Sequence, residues 1–254
     1  MDPMAIHTNI PYYQGPGYNP EDHTLDLYLP SKKGFPTVLF IHGGAWSMGG
    51  KEVHRPLGVT LVQKGIATAV INHRLSPTVK HPEHLKDAAR AVLWVYNTIS
   101  TYGGDKNRIF LLGHSSGGHL ASLLALDPPQ SDEFSTLPLP KGVICISGVF
   151  DVTAMASTPW GESMVISAFG ANPDTWKHAS PMSHNPWKAP PFLVIIAEHD
   201  LPLIKTQGKE FARKVGTECI EIPGTTHFSI IHSITPESTI TQKILLFLDE
   251  CTQK

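Results

Sequence analysis

The sequence predicts an α/β protein, built as a mostly parallel central sheet with helices packed on both faces. Three observations carry this reading. Short continuous apolar runs recur along the chain, as strands covered on both faces require. Between them lie longer segments with apolar residues at i, i+3, i+4 and i+7, the pattern of helices with one buried face. The 21 Gly and 22 Pro are spread along the chain and do not gather in one linker, so turns separate the elements regularly.

The elements follow in order. Thr24–Leu29 alternates polar and apolar residues, as a half-buried edge strand does, and Pro30 ends it. Thr37–Ile41 (TVLFI), Ile66–Ile71, Ile109–Leu112, Val143–Ile146, Phe192–Ala197 and Glu218–Ile222 are apolar runs of strand length. Leu85, Ala88, Ala89, Val92, Val95, Tyr96 and Ile99 lie on one face of a helix. A second helix follows Gly117-Gly118, and two more cover Ile204–Val215 and Ser238–Leu248. Strand, helix, strand in repetition implies parallel crossovers. Residues 150–190 are rich in Pro, Trp, Ser and Asn and weakly periodic, and they read as a lid-like excursion from a single domain spanning 1–254.

Composition excludes several classes. Lys plus Arg is 20 and Asp plus Glu is 22, a net charge of −2, which argues against a nucleic-acid binder or a polybasic membrane-surface protein. No apolar run approaches the ~20 residues of a membrane helix, so no stable membrane association is expected. The start, MDPMAIHTNIPYY, lacks a basic n-region and an apolar h-region, so the chain is expected in the cytoplasm. Cys145, Cys219 and Cys251 are too few and scattered for a disulfide framework or a zinc site, and the first two read as buried thiols. His81 and His84, in His81-Pro82-Glu83-His84, do not have the H-E-x-x-H spacing of a zinc site.

One motif carries most of the chemistry. Gly113-His114-Ser115-Ser116-Gly117 matches G-x-S-x-G, placed between the end of an apolar strand and the start of a helix. That context is a nucleophile elbow, where glycines permit the close turn and Ser115 projects above the strand end. The alternative is a glycine-containing turn whose serine caps the helix. His42-Gly43-Gly44-Ala45-Trp46 closes the TVLFI strand. It is either a plain glycine turn or, with the Ser116 amide, a set of backbone donors for an oxyanion. It is not a phosphate loop: Gly44–Gly49 has the G-x-x-x-x-G spacing, but Gly50 stands where Lys is required.

A serine nucleophile needs a base, and the base an orienting acid. Where such an elbow occurs, acid and histidine follow the serine in that order. Asp200, after Phe192–Ala197, and His227, after Glu218–Ile222, fit at strand carboxyl ends. Glu198 is the rival acid, and His199 and His232 are rival bases. Trp46, Met48, Phe150, Trp160 and Phe228 are candidate walls of the substrate pocket.

With these segments in view, the sequence resembles α/β-hydrolases of the carboxylesterase and kynurenine-formamidase-like branch, related to the hormone-sensitive-lipase group. The resemblance runs from about Leu25 to Leu248. It rests on Leu25–Pro30, His42–Trp46, Asn72-His73-Arg74-Leu75-Ser76-Pro77, Tyr102–Asp105, the elbow, Ser147–Asp151 and His227–Ile231. It implies nucleophile Ser115, acid Asp200, base His227 and oxyanion donors Gly43, Gly44 and Ser116. Two departures stand out. Only 41 residues precede His42, and Ala45 replaces a third glycine; backbone donation there survives if φ is negative. The short N-terminus implies a small cap, built from residues 10–20 and 150–180, suited to short acyl groups.

The resemblance implies hydrolysis of short carboxylic esters through an acyl-enzyme, with no metal and no cofactor. Formamide hydrolysis of N-formylkynurenine is the second reading. A non-catalytic ligand-binding hydrolase fold is the third, disfavoured because all three triad residue types are present. The expected partner is a small-molecule ester or formamide, with a homodimer left open.

Overall fold

The structure, a computed structural model, describes residues 4–253. Eight strands form one sheet in the order β1-β2-β4-β3-β5-β6-β7-β8. They are β1 (Ala5–Pro11), β2 (Thr24–Leu29), β3 (Phe35–Ile41), β4 (Ala67–Ile71), β5 (Gly104–His114), β6 (Gly142–Ile146), β7 (Phe192–His199) and β8 (Cys219–Thr226). The first two are antiparallel to their neighbours, and every pair from β4 to β8 is parallel. The parallel α/β expectation holds. The strand β1 lacks a clean alternation in sequence, and a register shift interrupts its pairing between His7 and Ile10.

The apolar runs are continuous because alternate residues serve two cores. Leu39, Ile41, Leu111, Val143 and Val194 point to one face, packed by α2 (Glu83–Thr98), α3 (Ser116–Leu126) and α7 (Pro202–Lys214). Val38, Phe40, Phe110, Leu112, Ile144 and Ile195 point to the other. That face packs α1 (Arg55–Gln63), α8 (Ser229–His232) and α9 (Thr239–Thr252). Among the described residues no helix is long and apolar enough to cross a membrane. Three short helices, α4 (Val152–Ala156), α5 (Gly161–Phe169) and α6 (Pro173–His178), occupy the 150–190 excursion. Each is too short to print a clear helical period.

The sheet order reverses beside β3, which lies between β4 and β5. Loops leaving β3 and β5 therefore emerge side by side and diverge, which opens a crevice at the carboxyl ends of the strands. The candidate residues cluster around that crevice.

Candidate functional site

Ser115 leaves β5 with φ 53° and ψ −119°. A left-handed φ at a non-glycine residue costs on the order of 1–3 kcal/mol, so the surroundings must impose it. They do: its amide donates to the Ile146 carbonyl (2.9 Å), and its carbonyl accepts from the His119 amide (3.1 Å). The two motif glycines are a steric requirement. A Cβ at Gly113 would run into the Gly117 carbonyl, and one at Gly117 into the Ile41 carbonyl.

The three distant residues meet. His227 Nδ1 lies 2.7 Å from Asp200 Oδ1, and Nε2 lies 3.0 Å from Ser115 Oγ. A carboxylate only accepts, so Nδ1 carries the proton, and the lone pair of Nε2 faces the serine hydroxyl. Asp200 is fixed from several sides: Ser147 Oγ donates to Oδ2 (2.5 Å), as does the Ala197 amide (3.2 Å), while the Leu201 amide donates to Oδ1 (2.9 Å). Burial alone would push its carboxyl up. Hydrogen bonds from His227 and Ser147 outweigh burial and hold it below the usual carboxylate range.

Two supporting residues escaped the sequence reading. Ser147, at the end of β6, has φ 49° and is fully buried beneath Asp200. Its signals in the sequence are its place at a strand's carboxyl end and its segment Ser147–Asp151, neither of which assigns it a role. His114 Nε2 lies 2.9 Å from the His227 carbonyl, so it must be the donor, and it braces the backbone of His227. Burial pushes the His114 imidazole down to about 3, which keeps it neutral.

The β3–α1 loop shapes the other wall. His42 Nδ1 donates to the Gly43 carbonyl (2.7 Å), and the ring stacks on His73 at 4.6 Å. Gly44 has φ 130°, and its carbonyl accepts from the Ser47 and Met48 amides, both at 3.0 Å. Gly43 and Gly44 contribute no amide donor to these loop hydrogen bonds, and Ser116 stands at the first position of α3, where an amide has no carbonyl one turn back. The condition of a negative φ at Ala45 is not met: φ is 53°, and Trp46 follows at 59°. The indole compensates. Its N–H donates to His119 Nδ1 (3.2 Å), His119 Nε2 donates to the Ala179 carbonyl (2.7 Å), and the loop is tied to the core.

A cavity of about 730 Å³ opens over Ser115. Met48, Trp160 and Phe228 line it as expected, and Phe228 is 72% exposed at its mouth. Trp46 borders it, but only 1% of its surface is exposed, so its ring mainly anchors the loop. Phe150 is a correction. It is absent from the lining because it stacks on Phe211 (4.0 Å between centroids, 6° between planes) in the core. Of the two segments expected as a cap, only the second contributes, through Met155, Trp160 and Met164; no residue of 10–20 lines the cavity. Cys219 is a further correction: Cys145 is buried, but Cys219 is only partly so, on the edge strand β8. The rival acid Glu198 turns away to accept the Gly224 amide (2.7 Å), and the rival base His199 faces solvent beside it. No cluster of metal-ligating residues occurs among the described residues.

Comparison with known proteins places this chain in a family. The chain is 32% identical over 244 residues to esterase LipQ of Mycobacterium tuberculosis, covering 88% of this chain and 57% of that one. It thus spans little more than half the length of that relative. It is 29% identical over 251 residues to the kynurenine formamidase of Danio rerio, covering 94% and 80%. Among solved structures, esterase B from Lactobacillus rhamnosis superposes with a TM-score of 0.84 at 22% identity, covering 98% and 86%. At that identity the likeness speaks for the fold alone. The BD-FAE family model matches residues 25–215, and the chain belongs to that family, within the carboxylesterase branch of the α/β-hydrolases.

Proposed function

We propose that this protein is a serine hydrolase that cleaves short, uncharged carboxylic esters through an acyl-enzyme. The observation that carries the reading is the hydrogen-bonded chain Asp200–His227–Ser115 opening into a cavity with no Asp, Glu, Lys or Arg in its lining. Ser115 Oγ attacks the ester carbonyl while His227 Nε2 takes its proton. The amides of Gly43, Gly44 and Ser116 receive the oxyanion, and each such donor is typically worth ~10²–10³ in kcat. The imidazolium then protonates the leaving alcohol. Water, deprotonated by the same nitrogen, releases the acid and restores Ser115. Asp200 keeps the tautomer and stabilises the imidazolium.

Formamidase activity is the second reading, favoured by the similarity to kynurenine formamidases over most of their length. The cavity weighs against it. N-formylkynurenine carries a carboxylate and an ammonium, and the lining offers neither a counter-ion. The deciding experiment compares kcat/KM for p-nitrophenyl butyrate and N-formylkynurenine, with fluorophosphonate labelling of Ser115 alongside. Labelling with preference for the ester is expected. Failure to label, or a preference for the formamide, overturns the assignment.

A further inference from the structure

Apolar side chains form most of the cavity, and Ser115, Ser116, His114 and His227 gather its polar groups at the nucleophile. His54 stands apart from these. It ends the 3-10 turn Lys51–His54, which follows the Gly43–Gly44 loop, and it lines the same cavity. Its ring is wedged against Phe40 (4.8 Å between centroids) and lies parallel to His42 at 6.4 Å. It is more than nine-tenths buried. Yet neither ring nitrogen is hydrogen-bonded among the described residues, and neither is sealed from solvent-accessible space, while the residue lines the cavity. Burial, reinforced by His232, holds the imidazole at about 4, so at neutral pH it presents one donor and one acceptor and no charge. His232 lines the cavity beside it from α8.

A neutral, immobilised imidazole whose donor and acceptor meet no protein group, in an otherwise apolar cavity, is a place where a ligand's polar group can be held. Ligand pockets fix orientation through a few such groups. We propose that His54, flanked by His232, is a hydrogen-bonding subsite for an uncharged hydroxyl or carbonyl carried by the ester at a distance from its scissile group. The subsite rests on the ester-hydrolase reading and adds a substrate class to it: neutral esters with one further polar group.

The test uses pairs in which a hydroxyl replaces a methyl of equal size: methyl 6-hydroxyhexanoate against methyl heptanoate, and 4-hydroxybutyl acetate against pentyl acetate. An apolar cavity without the subsite favours the methyl member, because the hydroxyl loses its water uncompensated. The expected result is that the wild-type protein prefers the hydroxylated member of at least one pair, with kcat/KM about tenfold higher or more. His54→Phe keeps the ring packing and should reverse that preference; His54→Asn keeps a donor and an acceptor and should preserve part of it. Each result is a ratio between two substrates, so any loss common to both cancels. A wild-type preference for the methyl member in both pairs overturns the proposal without any variant. So does an unchanged ratio in His54→Phe. Absence of turnover on all four esters would instead sink the ester reading itself.

Discussion

Among the described residues two buried aspartate–histidine pairs occur, and the one at Asp200 faces a cavity while the other does not. His227 Nδ1 lies 2.7 Å from Asp200, and His23 Nε2 lies 3.1 Å from Asp87. Both aspartates have side chains fully removed from solvent. The difference lies in what completes each pair. Asp87 is saturated by cations: Arg74 Nε and Nη2 at 2.8 Å and Arg90 Nη1 at 2.9 Å. Burial would raise its carboxyl, but hydrogen bonds from His23 and Arg74 outweigh burial and hold it well below the usual range. His23 also spends its second nitrogen, Nδ1, on the Asn19 amide (2.9 Å), and the rings of Tyr12, Tyr13 and Tyr18 surround it. Nothing is left to react. At the other pair, Nε2 is aimed at a hydroxyl on a strained turn and at open space. An Asp–His pair is therefore a structural clamp or half a catalytic triad, according to what its outer nitrogen meets.

The largest effects should separate the two pairs. Asp200→Asn would leave the imidazole in the wrong tautomer and lower kcat by about 10⁴-fold, and Ser115→Ala should lose at least as much. Ser115→Ala should unfold in urea near the wild-type midpoint, and Asp200→Asn only somewhat below it, since an amide nitrogen then faces a backbone donor but no buried charge is stranded. Asp87→Asn is expected to do the reverse. Two guanidinium groups lose their shared anion, and breaking a buried pair costs about 3–5 kcal/mol. Ester turnover per folded molecule should stay within a few-fold. If Asp87→Asn mainly lowers kcat, or Asp200→Asn mainly lowers the urea midpoint, the contrast is wrong.

Acid tests the imidazoles of the molecule as a group. Burial holds His42, His84, His114 and His119 at about 3, and His54 and His81 at about 4, against an ordinary value of 6.5. The unfolded chain binds protons that the native chain refuses between those values. Stability from these groups is thus complete above pH 6.5 and lost as the pH falls below it, with a slope approaching about 1.4 kcal/mol per unit for each. A domain holds only about 5–15 kcal/mol in total, so several such groups unfold it within roughly two units. Asp87 and Asp200 add little in this window, because the stability their lowered carboxyls contribute starts to fall only as the pH nears the ordinary carboxylate value of 3.8. Far-UV circular dichroism against pH should show cooperative unfolding between about pH 4 and 6. A native spectrum at pH 4 would contradict the burial of these rings.

Sequence revealed the Asp200–His227 pair more fully than the clamp. Ser115 stands in a motif whose strand and helix were both legible, and Asp200 and His227 follow apolar runs that could only be strands. The clamp joins His23, Arg74, Asp87 and Arg90, whose proximity depends on how β2, the loop after β4 and α2 pack. No local pattern encodes that. Phe150 goes inward for the same reason: it directly follows Val149, which lines the cavity, and only the packing of α7 through Phe211 decides where its ring goes. The left-handed Ala45 was unreadable because the Trp46–His119 bond that holds the loop spans 73 residues.

The smallest effect concerns Ser147, and it divides catalysis from stability at one residue. Its hydroxyl is the closest donor to the oxygen of Asp200 that His227 leaves free. Removing it leaves the Ala197 amide, at 3.2 Å, on that oxygen. The carboxylate becomes less stabilised and more basic, and it holds the imidazolium more tightly. The acid limb of the kcat/KM profile should then move to higher pH, while kcat falls about tenfold as Asp200 gains freedom to turn. Ser147→Ala and Ser147→Gly should share this shift, because both delete the hydroxyl. They should differ in stability. The backbone at φ 49° strains an alanine as it strains the serine, whereas glycine adopts it freely and recovers on the order of 1 kcal/mol. A glycine variant that unfolds later in urea than the alanine variant, with the same displaced acid limb, identifies the serine as a residue held in strain to position Asp200. Equal profiles in wild type and both variants would reduce it to packing.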